Sequence, residues 1–163
     1  MAEAMDKATF LTNLTQGRTQ WEALMEKMAQ VGEARLLAPG AAGRWSVKDV
    51  IAHVAWGERE MLGVVRGHAL AGSDLWQASQ TERNEAVYWQ NRERPLAEVI
   101  ADEQEVYRQF LAAARALDDA DFTDASRYAQ MPPEWAPWQV FAGNTYDHYE
   151  EHLPSLRAWL AQQ

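Results

Sequence analysis

Residues 145–153 read TYDHYEEHL and set His148 and His152 four apart. On a helix that spacing stacks two imidazoles on one face, where their ring nitrogens can converge on a single ion. If residues 138–161 form one helix at about 100° per residue, Trp138, Phe141, Thr145, His148, His152, Leu156 and Trp159 share a sector of roughly 80°. Asp147, Glu150 and Arg157 fall on the opposite side. Both histidines therefore lie in the apolar stripe, and a buried imidazole costs free energy unless its nitrogens find partners. A metal would satisfy one nitrogen on each. It needs at least one more ligand, and only His53 and His68 remain. His53 sits at the edge of a stripe made by Val50, Val54, Gly57, Met61, Val64 and Val65. His68 lies fifteen residues later, about 22 Å along the same axis, too far to share the site, and reads as a helix-end imidazole. The candidate metal ligands are His53, His148 and His152.

One carboxylate breaks pattern in the same way. Glu103 stands near the centre of a stripe formed by Leu96, Val99, Ile100, Val106, Tyr107, Phe110 and Leu117. It is the candidate catalytic residue, as a general base. It could equally serve as a fourth ligand, as an acceptor for the far nitrogen of a ligand histidine, or in a structural hydrogen bond to Trp, Tyr or Arg. Tyr149 is expected to point away from the core face. Competing metal motifs fail: the residue after His148 is Tyr, not the Glu of H-E-x-x-H, and no Glu lies three before any His. No P-loop or dinucleotide fingerprint occurs.

Four long amphipathic segments must position these residues. Residues 7–31 carry Phe10, Leu14, Trp21, Leu24, Met28 and Val31 at helical spacing and stop at Gly32. Ser46 with Asp49 forms a capping-box start for a helix over about 46–68. Residues 73–94 form a long excursion with a short helix inside it. Pro95 opens a third long helix to about Leu117, and MPPEWAPW at 131–138 cannot be regular helix. The fourth segment, about 138–161, carries the histidines, with Pro154 expected to kink it on its polar side. No strand pattern, repeat or linker appears. The expected architecture is an all-α, antiparallel four-helix bundle in one domain over 1–163.

Composition limits the partners. The formal charge is -9 at pH 7, which repels nucleic acid and anionic membranes. With no Cys, thiolate zinc, disulfides and cysteine nucleophiles are excluded. The N-terminal MAEAMDKATF shows no secretory leader, and no apolar run is long enough to span a bilayer, so a cytoplasmic protein is expected. Eight Trp in 163 residues must be packed or line a cavity. Trp56, Trp138 and the 131–138 loop are candidates for an apolar mouth or for a bundle cap.

Three stretches, GRWSVKDVIAHVAWGE at 43–58, NEAVYWQNRERPLAEVI at 84–100 and GNTYDHYEEHLPSLRAWL at 143–160, resemble the ClbS/DfsB family of four-helix bundles. That family falls in the DinB/YfiT-like superfamily. The resemblance implies a metal triad of one His on the second helix and H-x-x-x-H on the fourth, which His53, His148 and His152 match. It implies a divalent metal, nickel or zinc foremost, and a small-molecule substrate; a homodimer is left open. The leading expectation is a metal-dependent hydrolase of a small organic molecule. Alternatives are a transferase or isomerase using an external low-molecular-weight thiol, for which Arg44, Arg59 and Arg83 are available cations, and a non-catalytic bundle that binds a small molecule or confers self-resistance.

Overall fold

Asp6 starts the first helix by accepting a hydrogen bond from the Thr9 amide at 2.7 Å. The computed structural model describes residues 5–163; of the N-terminal stretch read above, residues 1–4 lie outside it. Helix α1 (Lys7–Ala29) buries Phe10, Leu14, Gly17, Arg18, Trp21, Leu24 and Met28. Gly32, at φ +101°, takes the left-handed turn into the short α2 (Glu33–Leu36). Ser46 and Asp49 cap α3 (Val47–Gly67) reciprocally, as their spacing predicts. The excursion contains a 3₁₀ turn, Asp74–Gln77, and α4 (Gln80–Asn91), again opened by a capping box, Ser79 with Glu82. Then come α5 (Leu96–Ala116), the short α6 (Asp119–Thr123), a 3₁₀ turn at Ala125–Arg127, α7 (Pro137–Gly143) and α8 (Tyr146–Leu160).

The expected all-α four-helix bundle is present, built from α1, α3, α5 and α8. Contacts along the seams give its directions. Arg59 meets Asp102, and Lys48 meets the carbonyls of Arg92 and Arg94, so α3 and α5 run parallel. Gly17 lies against Tyr146, while Leu24 and Lys27 lie near Arg157 and Leu160, so α1 and α8 are also parallel. Arg18 pairs with Glu103, and His53 reaches His152 while Gly57 reaches His148; those seams are antiparallel. The order is up, down, down, up. A parallel neighbour cannot be reached by a short turn, which is why the chain needs the long 68–95 crossover.

The fourth segment is not one helix. It breaks at Asn144 and Thr145, the latter at φ -130° and ψ -105°. The cause is local. Asn144 Nδ2 donates to the Val140 carbonyl at 2.9 Å and Thr145 Oγ1 to the Phe141 carbonyl at 2.7 Å, taking acceptors that a continuing helix would use. The amides of Asn144 and Thr145 turn back to Phe141 and Ala142 in tighter bonds. Pro154, by contrast, is exposed and α8 continues through it. At the base of the bundle Phe10, Phe122, Phe141 and Tyr146 pack ring against ring, with Phe10 and Phe122 centroids 4.9 Å apart. No described helix is long and apolar enough to cross a membrane.

Candidate metal centre

His53 on α3 and His148 and His152 on α8 meet at one point. The Nε2 atoms of His148 and His53 are 2.9 Å apart, and those of His152 and His148 are 3.0 Å apart. All three ligand atoms lie within 4.8 Å of one another. Hydrogen bonding alone does not satisfy this cluster. A neutral imidazole Nε2 carries either one proton or one lone pair, so His148 Nε2 can serve only one of its two neighbours well. A divalent ion takes a lone pair from each, and metal–nitrogen bonds of roughly 2.0–2.1 Å bring ligand nitrogens to about this spacing. The residues present fit a metal.

Their protonation state fits as well. His148 is buried, and His53 and His152 are half-buried. Burial pushes the His53 pKa down to about 4, helped by His152 and by the positive charge of Arg83. Burial holds His148 well below the usual imidazole range, with the other two histidines adding to the effect, and burial lowers His152. The cluster is thus kept neutral, the form that binds metal.

Packing holds the rings in place. The Trp45 ring lies 5.1 Å from the His53 ring. Gly57 lets α8 approach α3: a Cβ there would lie 3.1 Å from His148 Nδ1 and 3.3 Å from the Asn144 carbonyl. The Nδ1 atoms of His53 and His148 are buried without a hydrogen-bond partner among the described residues. Packing against Trp45 and across Gly57 thus helps set the ring orientations.

Glu103 is not in this cluster. It is buried, and Arg18 on α1 clasps both its oxygens, with Nη2 to Oε2 at 3.1 Å and Nη1 to Oε1. Arg18 Nη1 also reaches the Tyr149 hydroxyl at 3.5 Å, and Tyr149 donates to Glu58 Oε1. One residue from each long helix, Arg18, Glu58, Glu103 and Tyr149, thus forms a polar layer inside the bundle. Tyr149 is wholly buried and stacks on Trp21 at 5.3 Å, contrary to its expected outward placement. The reason is that α8 packs on two neighbours: Tyr146 and Tyr149 face α1, while His148 and His152 face α3. The buried face is wider than one stripe, and the break at Asn144 removes the continuous phase from which that stripe was drawn. Glu58 is fully buried with Oε2 unpartnered among the described residues, and burial, reinforced by the negative charge of Glu103, pushes its pKa up to about 8.

The three arginines do not cluster as a set. Arg44 pairs with Glu85 and Arg59 with Asp102. Arg83 has no ion pair among the described residues; its guanidinium lies 5.5 Å over the Trp56 ring and its charge reaches His53. Trp138 packs half-buried against the core, and Trp135 in the preceding loop is exposed. His68 caps α3 in a left-handed conformation and stacks on Tyr128, away from the other three histidines.

A family model described as the mycothiol maleylpyruvate isomerase N-terminal domain matches residues 18–148, from Arg18 of the polar layer to His148 of the cluster. No curated protein matches the chain. The crystal structure of an uncharacterised protein from Escherichia coli UTI89 superposes with a TM-score of 0.75 at 14% identity, covering 96% of this chain and 94% of that one. At that identity the likeness speaks for the fold alone.

Proposed function

Since the chain belongs to the mycothiol maleylpyruvate isomerase N-terminal domain family, a DinB/YfiT-like helical domain, we propose that it uses a three-histidine metal centre to activate an external low-molecular-weight thiol. The thiol then acts on a small organic molecule by S-transfer or isomerisation. The observation that carries this reading is the convergence of three neutral imidazole nitrogens, two of them from one turn of α8, in a domain of this family. Nickel or zinc suits such a ligand set, as imidazole does not discriminate between them. Bound there, a divalent ion supplies Lewis acidity, lowering the pKa of a thiol or water in its open positions.

The chain's own residues supply the rest. The chain has no Cys, so the thiol comes from outside. Arg83, without an ion pair among the described residues, brings a positive charge to the His53 side, which favours an anionic sulfur and the carboxylates of an acidic thiol. Trp45 packs on the His53 ring and sets an apolar surface beside it. Glu103, with both oxygens held by Arg18, acts as a positioning residue: it fixes the guanidinium that touches Tyr149, next in sequence to His148. The resemblance of the stretches at 43–58, 84–100 and 143–160 to ClbS/DfsB-like bundles supports reading the chain as one catalytic domain of that type within the superfamily.

A hydrolase would use the same three histidines with water as nucleophile, and the partly exposed edges of His53 and His152 admit water. The two readings separate experimentally. Cobalt-substituted, untagged protein is titrated with low-molecular-weight thiols, mycothiol and glutathione among them, while the sulfur-to-cobalt charge-transfer absorption is followed. A saturable band that disappears in His148→Ala is the expected result. Turnover of ester or amide substrates without any thiol, and no such band, would establish the hydrolase instead. Metal-free protein that binds small molecules without turnover would identify a non-catalytic bundle.

A further inference from the structure

A cavity separate from the histidine cluster opens between three of the long helices. It occupies about 550 Å³ between α1, α3 and α5, and none of His53, His148 or His152 lines it. Its volume is in the range of sites for drug-sized ligands. Met25 from α1 and Ile100, Tyr107 and Leu111 from α5 are half-buried on its walls, with Met28 and Ile51 buried behind them. Helices normally close over such apolar side chains until little void remains. Here they do not, and the two methionines give the walls unusual capacity to adapt.

The cavity also has a polar end. Arg18 and Glu103 both line it, and both are buried. Four of the five guanidinium donors of Arg18 are engaged: Nε with Glu22, Nη1 with Glu103 and Tyr149, and Nη2 with Glu103. One donor on Nη2 is left for an acceptor. The charge at this end is already neutralised by Glu103 and Glu22, while at the rim Arg108 is held by Glu105. An anion would meet Glu22, Glu26 and Glu103. A cation would meet Arg18, which also covers the Tyr107 ring at 4.2 Å. Charge therefore selects a neutral molecule.

We infer that this cavity is a second binding site, distinct from the histidine cluster, for a neutral, largely apolar small molecule that presents one hydrogen-bond acceptor to Arg18. Nile red, a neutral polycyclic ketone, is a suitable probe with the full-length protein. It should bind saturably, one molecule per chain, with EDTA leaving the affinity unchanged. Leu111→Trp, which fills the cavity from a half-exposed wall, should weaken binding by about tenfold or more, the equivalent of roughly two buried methylenes lost. Its melting temperature should not fall. The polar end is tested on the ligand side, without disturbing the ion pair. Of two near-isosteres competing with Nile red, 1-acetylnaphthalene should bind at least about threefold more tightly than 1-ethylnaphthalene, the order of one net hydrogen bond. Without a donor at the inner end the hydrocarbon, being the less hydrated, would bind better, and that order overturns the assignment. So would an unchanged affinity in Leu111→Trp, or a chain that dimerises through this seam and releases the probe on doing so. A failed thiol titration at the cobalt centre leaves this result untouched.

Discussion

Glu58→Gln should make the protein progressively more stable than the parent as pH rises. Glu58 is fully buried, with one oxygen on Tyr149 and the other without a hydrogen-bond partner among the described residues. Its pKa stands at about 8 in the folded chain against an ordinary 4.5. Between these values the native state holds a proton that the unfolded state has released, so ν_N exceeds ν_U and unfolding free energy declines with pH. Each pH unit is worth 1.36 kcal/mol for a group fully in this window, so from pH 5 to 8 the parent loses roughly 3 kcal/mol through Glu58 alone. Glutamine keeps the shape, can accept from Tyr149, and has no proton to lose. The three histidines titrate in the opposite sense. Their folded pKa values lie below the unfolded 6.5, so they hold stability at neutral pH and give it up as pH falls below 6.5, for His53 toward about 4. That behaviour is common to both proteins and cancels in the difference. Urea denaturation followed by far-UV circular dichroism, at one-unit steps from pH 5 to 8 with EDTA present, gives the difference directly. A gap between variant and parent that stays constant across the range would refute the reasoning, since it would mean that Glu58 is charged or solvated in the fold.

Removing any one of the three histidines should weaken zinc or nickel binding by more than the roughly ten- to hundredfold typical of groups that only orient ligands; isothermal titration calorimetry of His53→Ala, His148→Ala and His152→Ala checks this. Gly57→Ala should lower stability by roughly 1–3 kcal/mol despite the better helix propensity of alanine, because the new methyl meets the His148 ring and the Asn144 carbonyl. The same variant should bind metal less tightly, which a purely structural glycine would not cause. On acidification, metal should be retained to lower pH than free imidazole allows, since protons compete for His53 only as pH falls toward about 4. The rise in melting temperature that metal gives should therefore persist at pH 5.5 and fade nearer pH 4.5, and its complete loss by pH 6 would count against depressed histidine pKa values.

The cluster was legible because H-x-x-x-H in an apolar stripe leaves two imidazoles needing partners, and only His53 was within reach. The same rule, a charge where the stripe demands an apolar residue, singled out Glu103. Applied evenly it also finds its partners. Arg18 follows Leu14 and precedes Trp21 at steps of four and three, and Glu58 stands in the same register between Val54 and Met61. Three charged residues on three stripes are a stronger signal than one, because they can satisfy each other. Tyr149 was hidden for a different reason: no single-helix wheel reveals that α8 is flanked by two helices. The break at Asn144 depended on side chains capturing carbonyls, a competition that hydrophobic periodicity does not register.

The parallel run of α3 and α5 has a consequence for how specificity can change. The crossover that this topology requires is held at both ends by polar contacts, and Arg44 pairs with Glu85 in between. Lys48 gathers the carbonyls of Asn91, Arg92 and Arg94 at its far end, and Glu60 takes the amide of Ser73 near its start. Between those anchors lies α4, which carries Arg83 to the histidines and contributes just one buried side chain, Val87. The scaffold that fixes the three histidines and the strap that carries Arg83 toward them are thus distinct segments of the chain. Exchanging residues 74–90 for a strap of different sequence, with Glu85 and the contacts of Lys48 and Glu60 kept, should change which molecules approach the three histidines while leaving their placement as it is.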